Sequence, residues 1–436
     1  MFKTIANAFK VKDVRKKIFI TLLLLFIYRV GCWLPIPGFD IAKIGEDIQG
    51  NSYSIFSIMN MISGGALANC SVLALGVSPY ITASIVIQLL TVAIPSLERL
   101  SRAGEDGRRK INLYTRIAAL VLSIAQAIGI VISYSGSLDA ANALWAGAPT
   151  WLLATGIVFV LVAGGMFTVW LGEKITDLGI GNGMSLLIFV GILSTGANGI
   201  LTALKEVGND ITQLWTILIF LAVMIAIFAL IVFVDCAERR IPVQYAKQIK
   251  GRKMYGGQST YIPIKVNGSN VMPIIFATAL ITFPQMIISM FWPGSGAEQW
   301  YQKWLGTGSW IYVVVLAVLI FAFAFFYAQI MFNTDDVSKR IQQQGGFVPG
   351  IRPGKPTADY LKKISRRITL FGACFLAVIA LIPSLAFKAV GDYALGSVLI
   401  NAFSATGLMI IVSVALEFDK QLEAQMIMRT YKGFLD

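Results

Sequence analysis

Long apolar runs alternate with polar segments along most of the chain. Each run is 17 to 22 residues long, which is the length a helix needs to cross the hydrocarbon core of a bilayer. The pattern predicts ten membrane spans, at Ile18–Leu34, Leu73–Ile94, Leu113–Ile132, Leu152–Leu171, Met184–Ile200, Leu214–Val234, Val271–Phe291, Trp310–Met331, Ile368–Phe387 and Leu395–Leu416. The sequence therefore predicts an all-α polytopic membrane protein.

One apolar stretch, residues 54–95, is long enough for a span but is broken in its first half. Ile55 to Leu67 has apolar residues at helical spacing and ends around Gly64-Gly65. Such a break at membrane depth is tolerated where the backbone is buried in protein or lines a cavity. We expect a half-inserted helical segment at about 55–72, followed by the true second span. A re-entrant hairpin that serves only packing explains the same pattern equally well.

The distribution of basic residues predicts the orientation in the membrane. With the N-terminus inside and ten spans, 31 of the 36 Lys and Arg residues fall on the inner side. This bias predicts that both termini are cytoplasmic, and the net charge of +13 predicts attraction to anionic membrane lipid. Arg29 lies inside the first span, close enough to its outer end that we expect it to snorkel outward.

Five spans in each half would turn the second half upside down relative to the first, as in inverted-repeat proteins. The predicted halves are residues 1–198 and 213–416, joined by an external hinge loop at 199–212 and followed by a cytoplasmic tail at 417–436. This organisation depends on counting spans, since no residue-level repeat is visible in the sequence.

Composition argues against several classes of function. The chain is 56% hydrophobic and contains no His, which excludes His-based acid–base catalysis and His metal ligands. Its four Cys lie far apart without a CxxC pair, and no GxxxxGK[ST] nucleotide motif occurs. The sequence therefore predicts no metal, no cofactor and no enzymatic activity. An inverted-repeat transporter of a small solute remains the alternative, although the span centres hold almost no ionisable residues, and an intramembrane hydrolase is disfavoured.

Two features point towards a partner or a moving interface. Small and weakly polar side chains occupy the middles of spans two and seven, where they serve either interhelical packing or an interface that opens and reseals. Two long basic loops, 235–270 and 333–367, are either solvated positive-inside loops or docking surfaces for an anionic partner such as RNA or an acidic protein. The first loop contains a β-like run, STYIPIKV, and Gly and Pro in the second predict a turn with Arg352 at its tip.

Several motifs together resemble the SecY family of bacterial protein-conducting channels over the whole chain. They are RVGCWLPIPGFD (29–40), NMISGGALANCSVLALGVSPYITASIVIQLL (60–90), GEDGRRKINLYTR (104–116), WLGEKITDLGIGNGMSLLIF (170–189), ERRIPVQYAK (238–247), QSTYIPIKVN (258–267) and GGFVPGIRPGKPT (345–357). The resemblance implies a channel that moves unfolded secretory polypeptides across the cytoplasmic membrane and releases membrane segments sideways into lipid. Its two halves would surround an hourglass-shaped central pore.

The resemblance also implies four sets of functional residues. A ring of apolar side chains at the pore waist would comprise Val77, Ile81, Met184, Ile188, Ile275 and Ile410, although Val77 and Met184 stand where the family pattern has isoleucine. A plug would comprise Met61, Ile62, Ser63, Gly64, Gly65, Ala66 and Leu67. A lateral gate between spans two and seven would include Ser84, Gln88, Thr278 and Thr282.

The fourth set is the cytoplasmic surface for a motor or a ribosome. It would comprise Arg239, Arg240, Lys247, Lys250, Arg252, Lys253, Arg352 and Lys355. The partners that the resemblance implies are small SecE-like and SecG-like membrane subunits, the SecA motor ATPase, the ribosome and polypeptides with signal sequences. From the residues alone, each ring position is also an ordinary buried aliphatic side chain.

Overall fold

The computed structural model describes residues 8–9, 11–39, 55–134, 149–207, 214–245, 248–250, 253–255, 259–268, 272–292, 295–306, 309–390 and 405–432. In chain order, the helices α1 to α14 are Lys12–Gly31, Ile55–Ser63, Ser78–Ala93, Pro95–Arg102, Glu105–Ser133, Thr150–Leu178, Gly183–Val207, Leu214–Asp235, Met272–Phe291, Gly296–Leu305, Trp310–Met331, Thr334–Gln343, Lys355–Val390 and Ala405–Lys432. The strands β1 to β5 are Glu238–Tyr245, Gln248–Lys250, Lys253–Tyr255, Ser259–Lys265 and Gly346–Phe347.

Several of the described helices have the length and composition of membrane spans. Among them, five are long and apolar enough to cross a bilayer, namely Glu105–Ser133, Thr150–Leu178, Gly183–Thr202, Trp310–Gln343 and Lys355–Leu381. A sixth candidate is the pair Ser78–Ala93 and Pro95–Ser101, which is bent by 107°. The mostly helical, polytopic fold is thus confirmed, whereas the count of ten spans and the inverted halves stay predictions.

Several helices extend beyond the apolar runs that predicted them. Helix α5 begins at Glu105 and α13 at Lys355, each well before the predicted span, and α14 continues to Lys432 through the predicted tail. Hydropathy marks where lipid ends, whereas a helix continues for as long as its residues favour it. Arg and Glu are good helix formers, and Arg109 and Glu105 form an (i, i+4) ion pair of 3.4 Å in the first turn of α5. The predicted start of span ten lies outside the described residues.

The chain divides into two compact units. The first comprises Met1–Ile217, Ala279–Tyr312 and Phe387–Asp436, and the second comprises Leu218–Thr278 and Val313–Ala386. In the first unit, the segment between α2 and α3 runs through turns and packs against α5 and α6. Close approach to α6 requires a glycine, because a Cβ atom at Gly164 would lie 1.9 Å from the carbonyl oxygen of Val72. The division into halves at 1–198 and 213–416, with a hinge loop at 199–212 between them, stays a prediction.

A second cluster in the first unit joins the two ends of the chain. Ile18 of α1 and Leu422 of α14 are buried together with Ile180, from the turn before α7. The amide of Ile180 donates to the Thr21 hydroxyl at 3.2 Å. The C-terminal residues predicted as a tail therefore continue α14 to Lys432, and this helix is packed at Phe418, Leu422 and Met426.

In the second unit, the two long basic loops fold together around one sheet. Strand β1 pairs antiparallel with β4 on one edge and with β5 on the other, so residues from both loops share three strands. The β-like run that the sequence predicted is β4. Ile241 and Val243 of β1, Ile341 of α12 and Leu361 of α13 are buried in a common apolar cluster. This small sheet is a folded platform, which the sequence had not predicted.

Candidate functional site

Helix α2, the predicted half-inserted element, ends where glycine permits a left-handed backbone. Its last helical residue is Ser63, and Gly64 and Gly65 follow with φ of 74° and 87°. Side chains with a Cβ atom disfavour that region. The helix is thus shorter than the predicted run to Leu67, and Leu67 is buried in a turn.

The second span also begins later than the apolar run predicted. Its helix, α3, starts at Ser78 with Pro79 in the first turn, a position where the missing N–H of proline costs no helical hydrogen bond. Residues 72–77 form turns. The chain therefore makes a compact, non-helical connection of more than ten residues between α2 and the span.

Neighbouring helices supply hydrogen bonds to the C-terminal carbonyl groups of α2. A helix leaves its last four carbonyl oxygens without partners within the helix. The Tyr28 hydroxyl of α1 donates to the carbonyl of Ser63 at 3.4 Å, and the Thr195 hydroxyl of α7 donates to the carbonyl of Met61 at 3.3 Å. The end of α2 is therefore attached to two other helices by side-chain hydrogen bonds.

Arg29 makes the charged contact in this group. Its Nη1 donates to the carbonyl oxygen of Gly64 at 3.0 Å, and its Nη2 donates to the hydroxyl of Ser194 on α7. We predicted from the sequence that Arg29 would snorkel outward, and this prediction is wrong. The guanidinium binds inside the protein, because the carbonyl groups at the C-terminal end of α2 carry a partial negative charge that a cation stabilises.

Two glycines allow α2 to lie directly against α7. A Cβ atom at Gly191 would be 2.5 Å from the carbonyl oxygen of Ile62, and one at Gly64 would be 2.8 Å from the Cα atom of Gly191. On the apolar side, Met59 and Leu67 are buried against α5 and α6. Gly64 is among the residues that the sequence predicts for the plug, whereas Gly191, one of four glycines in α7, carries no signal that separates it from the other three.

The predicted ring residues occupy buried or half-buried positions. Val77, Ile188 and Ile410 are 1%, 5% and 6% exposed, and Ile81 is half-buried. Met184 is half-buried with its sulfur packed over Gly172 of α6. Helices α7 and α14, which carry Ile188 and Ile410, pack against each other within the first unit. Ile275 is half-buried in the second unit, so the ring as a whole stays a prediction.

The predicted gate residues are half-buried and hydrogen-bond within their own helices. Gln88 donates to the Ser84 hydroxyl of α3 at 3.4 Å. Thr278 and Thr282 of α9 donate to carbonyl oxygens one turn earlier, at 3.0 and 3.3 Å. Polar groups that are satisfied within one helix lose no partner when that helix separates from a neighbour. The arrangement suits an interface that opens, and the gate itself stays a prediction.

Arg352 lies at the tip of a turn that is fixed on both sides. Gly350 and Gly354 have φ of 81° and 96°. The buried Ser338 hydroxyl of α12 donates to the carbonyl of Gly354 at 2.7 Å. The buried Thr357 hydroxyl of α13 donates to the carbonyl of Arg352 at 2.8 Å. The side chain of Arg352 is exposed, as the pattern of Gly and Pro predicted.

The two arginines of β1 differ in their surroundings. Arg240 forms a 2.7 Å ion pair with Glu238 and lies 4.8 Å above the ring of Tyr261. The hydrogen bond to Glu238 and the charges of Tyr261 and Glu238 raise the pKa of Arg240. Arg239 is exposed on the same strand, and Lys355 is exposed at the start of α13. Arg240 is therefore held along the sheet by its neighbours.

The remaining cations of the predicted surface are described only in part. Lys250 and Lys253 pair across the hairpin of β2 and β3. Lys247 and Arg252 lie outside the described residues. The common role of this group stays a prediction.

Comparison with known proteins supports one family over the length of the chain. The SecY family model matches residues 71–418. The protein translocase subunit SecY of Streptomyces scabiei is 43% identical over 445 residues, and that of Mycobacterium tuberculosis (strain CDC 1551 / Oshkosh) is 41% identical over 456 residues. Both alignments cover all of this chain and all of the relative.

Solved structures show the same fold at lower identity. A protein-conducting channel has a TM-score of 0.66 at 20% identity, over 95% of this chain and 93% of that chain. The Sec61 chain of the canine ribosome–channel complex has a TM-score of 0.63 at 18% identity, over 95% and 93%. A third structure is of a SecY protein whose plug domain stabilises the closed channel and maintains a membrane seal; it has a TM-score of 0.63 at 20% identity, over 95% and 92%. With a family match over most of its length and full-length relatives above 40% identity, the chain belongs to the SecY family.

Proposed function

We propose that this protein conducts unfolded secretory polypeptides across a membrane and releases membrane-protein segments sideways into lipid. The observation that carries the proposal is the attachment of α2 in a chain of the SecY family. A nine-residue helix is held by side-chain hydrogen bonds at its end and by glycine contacts along α7. In the proposed channel this element blocks the path when it is attached and opens the path when it is released. A small-solute transporter gains no comparable support.

In this proposal the plug is the segment Met61 to Leu67, and the waist of the pore is lined by the six aliphatic ring residues. An apolar constriction excludes ions by dewetting and fits around chains of varied sequence without fixed contacts. Three members of the set are buried, which agrees with a closed waist. The gate is formed by α3 and α9, whose polar side chains keep their partners when the helices separate.

The platform of β1, β4 and β5 is the proposed docking surface for a motor or a ribosome. Exposed arginines on an already folded sheet bind an anionic partner without a further cost of ordering the loops. The chain has no nucleotide motif, so we propose a SecA-like ATPase as the energy source for export. Small SecE-like and SecG-like subunits complete the assembly, with the ribosome as the partner in cotranslational insertion.

The proposed location is the bacterial cytoplasmic membrane, with both termini in the cytoplasm. The excess of Lys and Arg in the segments assigned to the inner side supports this orientation. The same residues would lie at the surface of anionic lipid.

Reconstitution tests the proposed function directly. The chain is co-purified with its small membrane partners, placed in vesicles and supplied with the motor, ATP and a signal-bearing client protein. We expect the client to become protected from external protease, and a client without its signal to stay accessible. A failure of protection in vesicles that retain the assembled complex would contradict the proposal, and uptake of a small solute would support the transporter alternative instead.

Deleting residues 61–67 tests the assignment of the plug. Although Met61, Ala66 and Leu67 are buried, the segment forms only the last turn of α2 and a glycine-rich turn, so we expect the remaining helices to assemble. The expected result is transient ion leakage through the deleted channel in a planar bilayer, with normal accumulation in the membrane. Loss of membrane insertion would show instead that the segment is a structural hairpin.

A further inference from the structure

Arg29 has no role in the proposed ring, gate or docking surface, yet it lies where three elements meet. It belongs to α1, its Nη1 contacts the end of the plug at Gly64, and its Nη2 contacts Ser194 of α7. An arginine within an apolar span is costly and is kept where it has partners and a function. Its position between two acceptors on different elements therefore points to a function that involves both elements.

The two partners respond differently to displacement of the plug. Gly64 belongs to the plug, so its carbonyl leaves when the plug leaves. Ser194 belongs to α7 and stays with the helices. Displacement thus costs the guanidinium a charge-assisted hydrogen bond, which is stronger than the neutral bonds from Tyr28 and Thr195 at the same end of α2.

We propose that Arg29 is a positioning residue that locks the plug in the closed channel and so determines how strong a signal segment must be to open it. The inference rests on the proposed function, because it requires residues 61–67 to be the plug. A signal segment that binds the channel supplies free energy for displacement. A weaker lock lowers the amount required, so weaker signals become sufficient.

The chemistry of arginine fits this role better than that of lysine. Its planar guanidinium presents separate N–H groups in a rigid fork, so it donates to Gly64 and Ser194 at once. A lysine ammonium on a flexible stem is a compact charge that does not reproduce this geometry. Arg29→Lys should therefore keep the charge and weaken the lock.

The test compares Arg29→Met and Arg29→Lys in the reconstituted complex. Methionine removes a cation from an apolar helix, so the span itself is not weakened. We expect the current across a planar bilayer and the export of a client with a weakened signal to rise about tenfold in Arg29→Met, which corresponds to the loss of one hydrogen bond to a charged group. Arg29→Lys and Ser194→Ala should give smaller increases, and Ser185→Ala, on the same helix outside the lock, should give none.

The same variants are then combined with deletion of residues 61–67. If the deletion leaks and Arg29→Met adds nothing to it, the lock acts through the plug as proposed. If the deletion variant leaks ions while the Arg29 variants behave like the unmutated channel, the proposed role of Arg29 is wrong and the assignment of residues 61–67 as the plug is supported. If the deletion does not leak, the plug assignment itself fails. An Arg29→Met protein that does not accumulate even without the plug would overturn the proposal in favour of a folding role.

Discussion

Arg352→Glu is expected to abolish motor-driven export while the protein accumulates at its normal level. The side chain is exposed and contributes little to folding, since exposed charge pairs are worth about 0–1 kcal/mol. The turn is held through the backbone, by the hydroxyls of Ser338 and Thr357, so the substitution should leave its shape unchanged. We therefore expect Arg352→Glu to weaken binding of the motor and not to change folding.

The expected magnitude follows from charge reversal at a contact. Loss of one partner in a buried, hydrogen-bonded charge pair costs about 2–5 kcal/mol of binding free energy. That corresponds to a reduction in affinity of about 30- to 5,000-fold. We expect cotranslational insertion of a polytopic client to fall less, because the ribosome presents a larger and more distributed anionic surface.

The measurement is a pair of assays on one preparation, motor-dependent export and cotranslational insertion. Arg340→Glu is the matched control, an exposed arginine of α12 in the same unit but away from the tip. Unimpaired export by Arg352→Glu, or an equal loss in Arg340→Glu, would mean that Arg352 is an ordinary solvated cation. Failure to accumulate would indicate that the turn serves folding.

Ile188→Asn is expected to open the closed channel to ions. The side chain is 5% exposed on α7, and an apolar waist excludes ions because water does not wet it. Burying an amide without partners costs about 1–3 kcal/mol in proteins, so water enters to satisfy it. We expect planar-bilayer conductance to rise about tenfold or more and signal-sequence discrimination to relax.

Ile410→Asn on α14 should have the same effect, and Ile188→Val is the control because it keeps the position apolar. Conductance no higher than that of the unmutated channel, in a correctly assembled Ile188→Asn protein, would remove Ile188 from the ring. A similar increase in Ile188→Val would mean that altered packing rather than polarity causes the leak.

Prediction from sequence succeeded where one residue type or one local pattern was sufficient. The apolar runs located α5, α6, α7, α11 and α13 to within a few turns, and the Gly64-Gly65 pair located the break after α2. Gly350 and Gly354 likewise located the turn of Arg352. Helix ends were less accurate, as α13 shows, because charged residues outside the lipid continue a helix that hydropathy does not detect.

The contacts of Arg29 could not be predicted in the same way. Arg29 and Gly64 are 35 residues apart, and the Thr195 hydroxyl and the carbonyl of Met61 are 134 apart. Within its own span, Arg29 is a lone cation near a helix end, and snorkelling is the ordinary solution there. The acceptor that draws it inward exists because another helix ends beside it.

By itself, the sequence determined the class of protein, the break after α2 and the tip that presents Arg352, because hydropathy, glycine conformation and turn chemistry act over short distances. The tertiary structure alone decided which side chains hold the end of α2 and how the two basic loops combine into one sheet. Backbone carbonyls carry no sequence signal of their own. Their partners are set by which helices and strands the fold brings together.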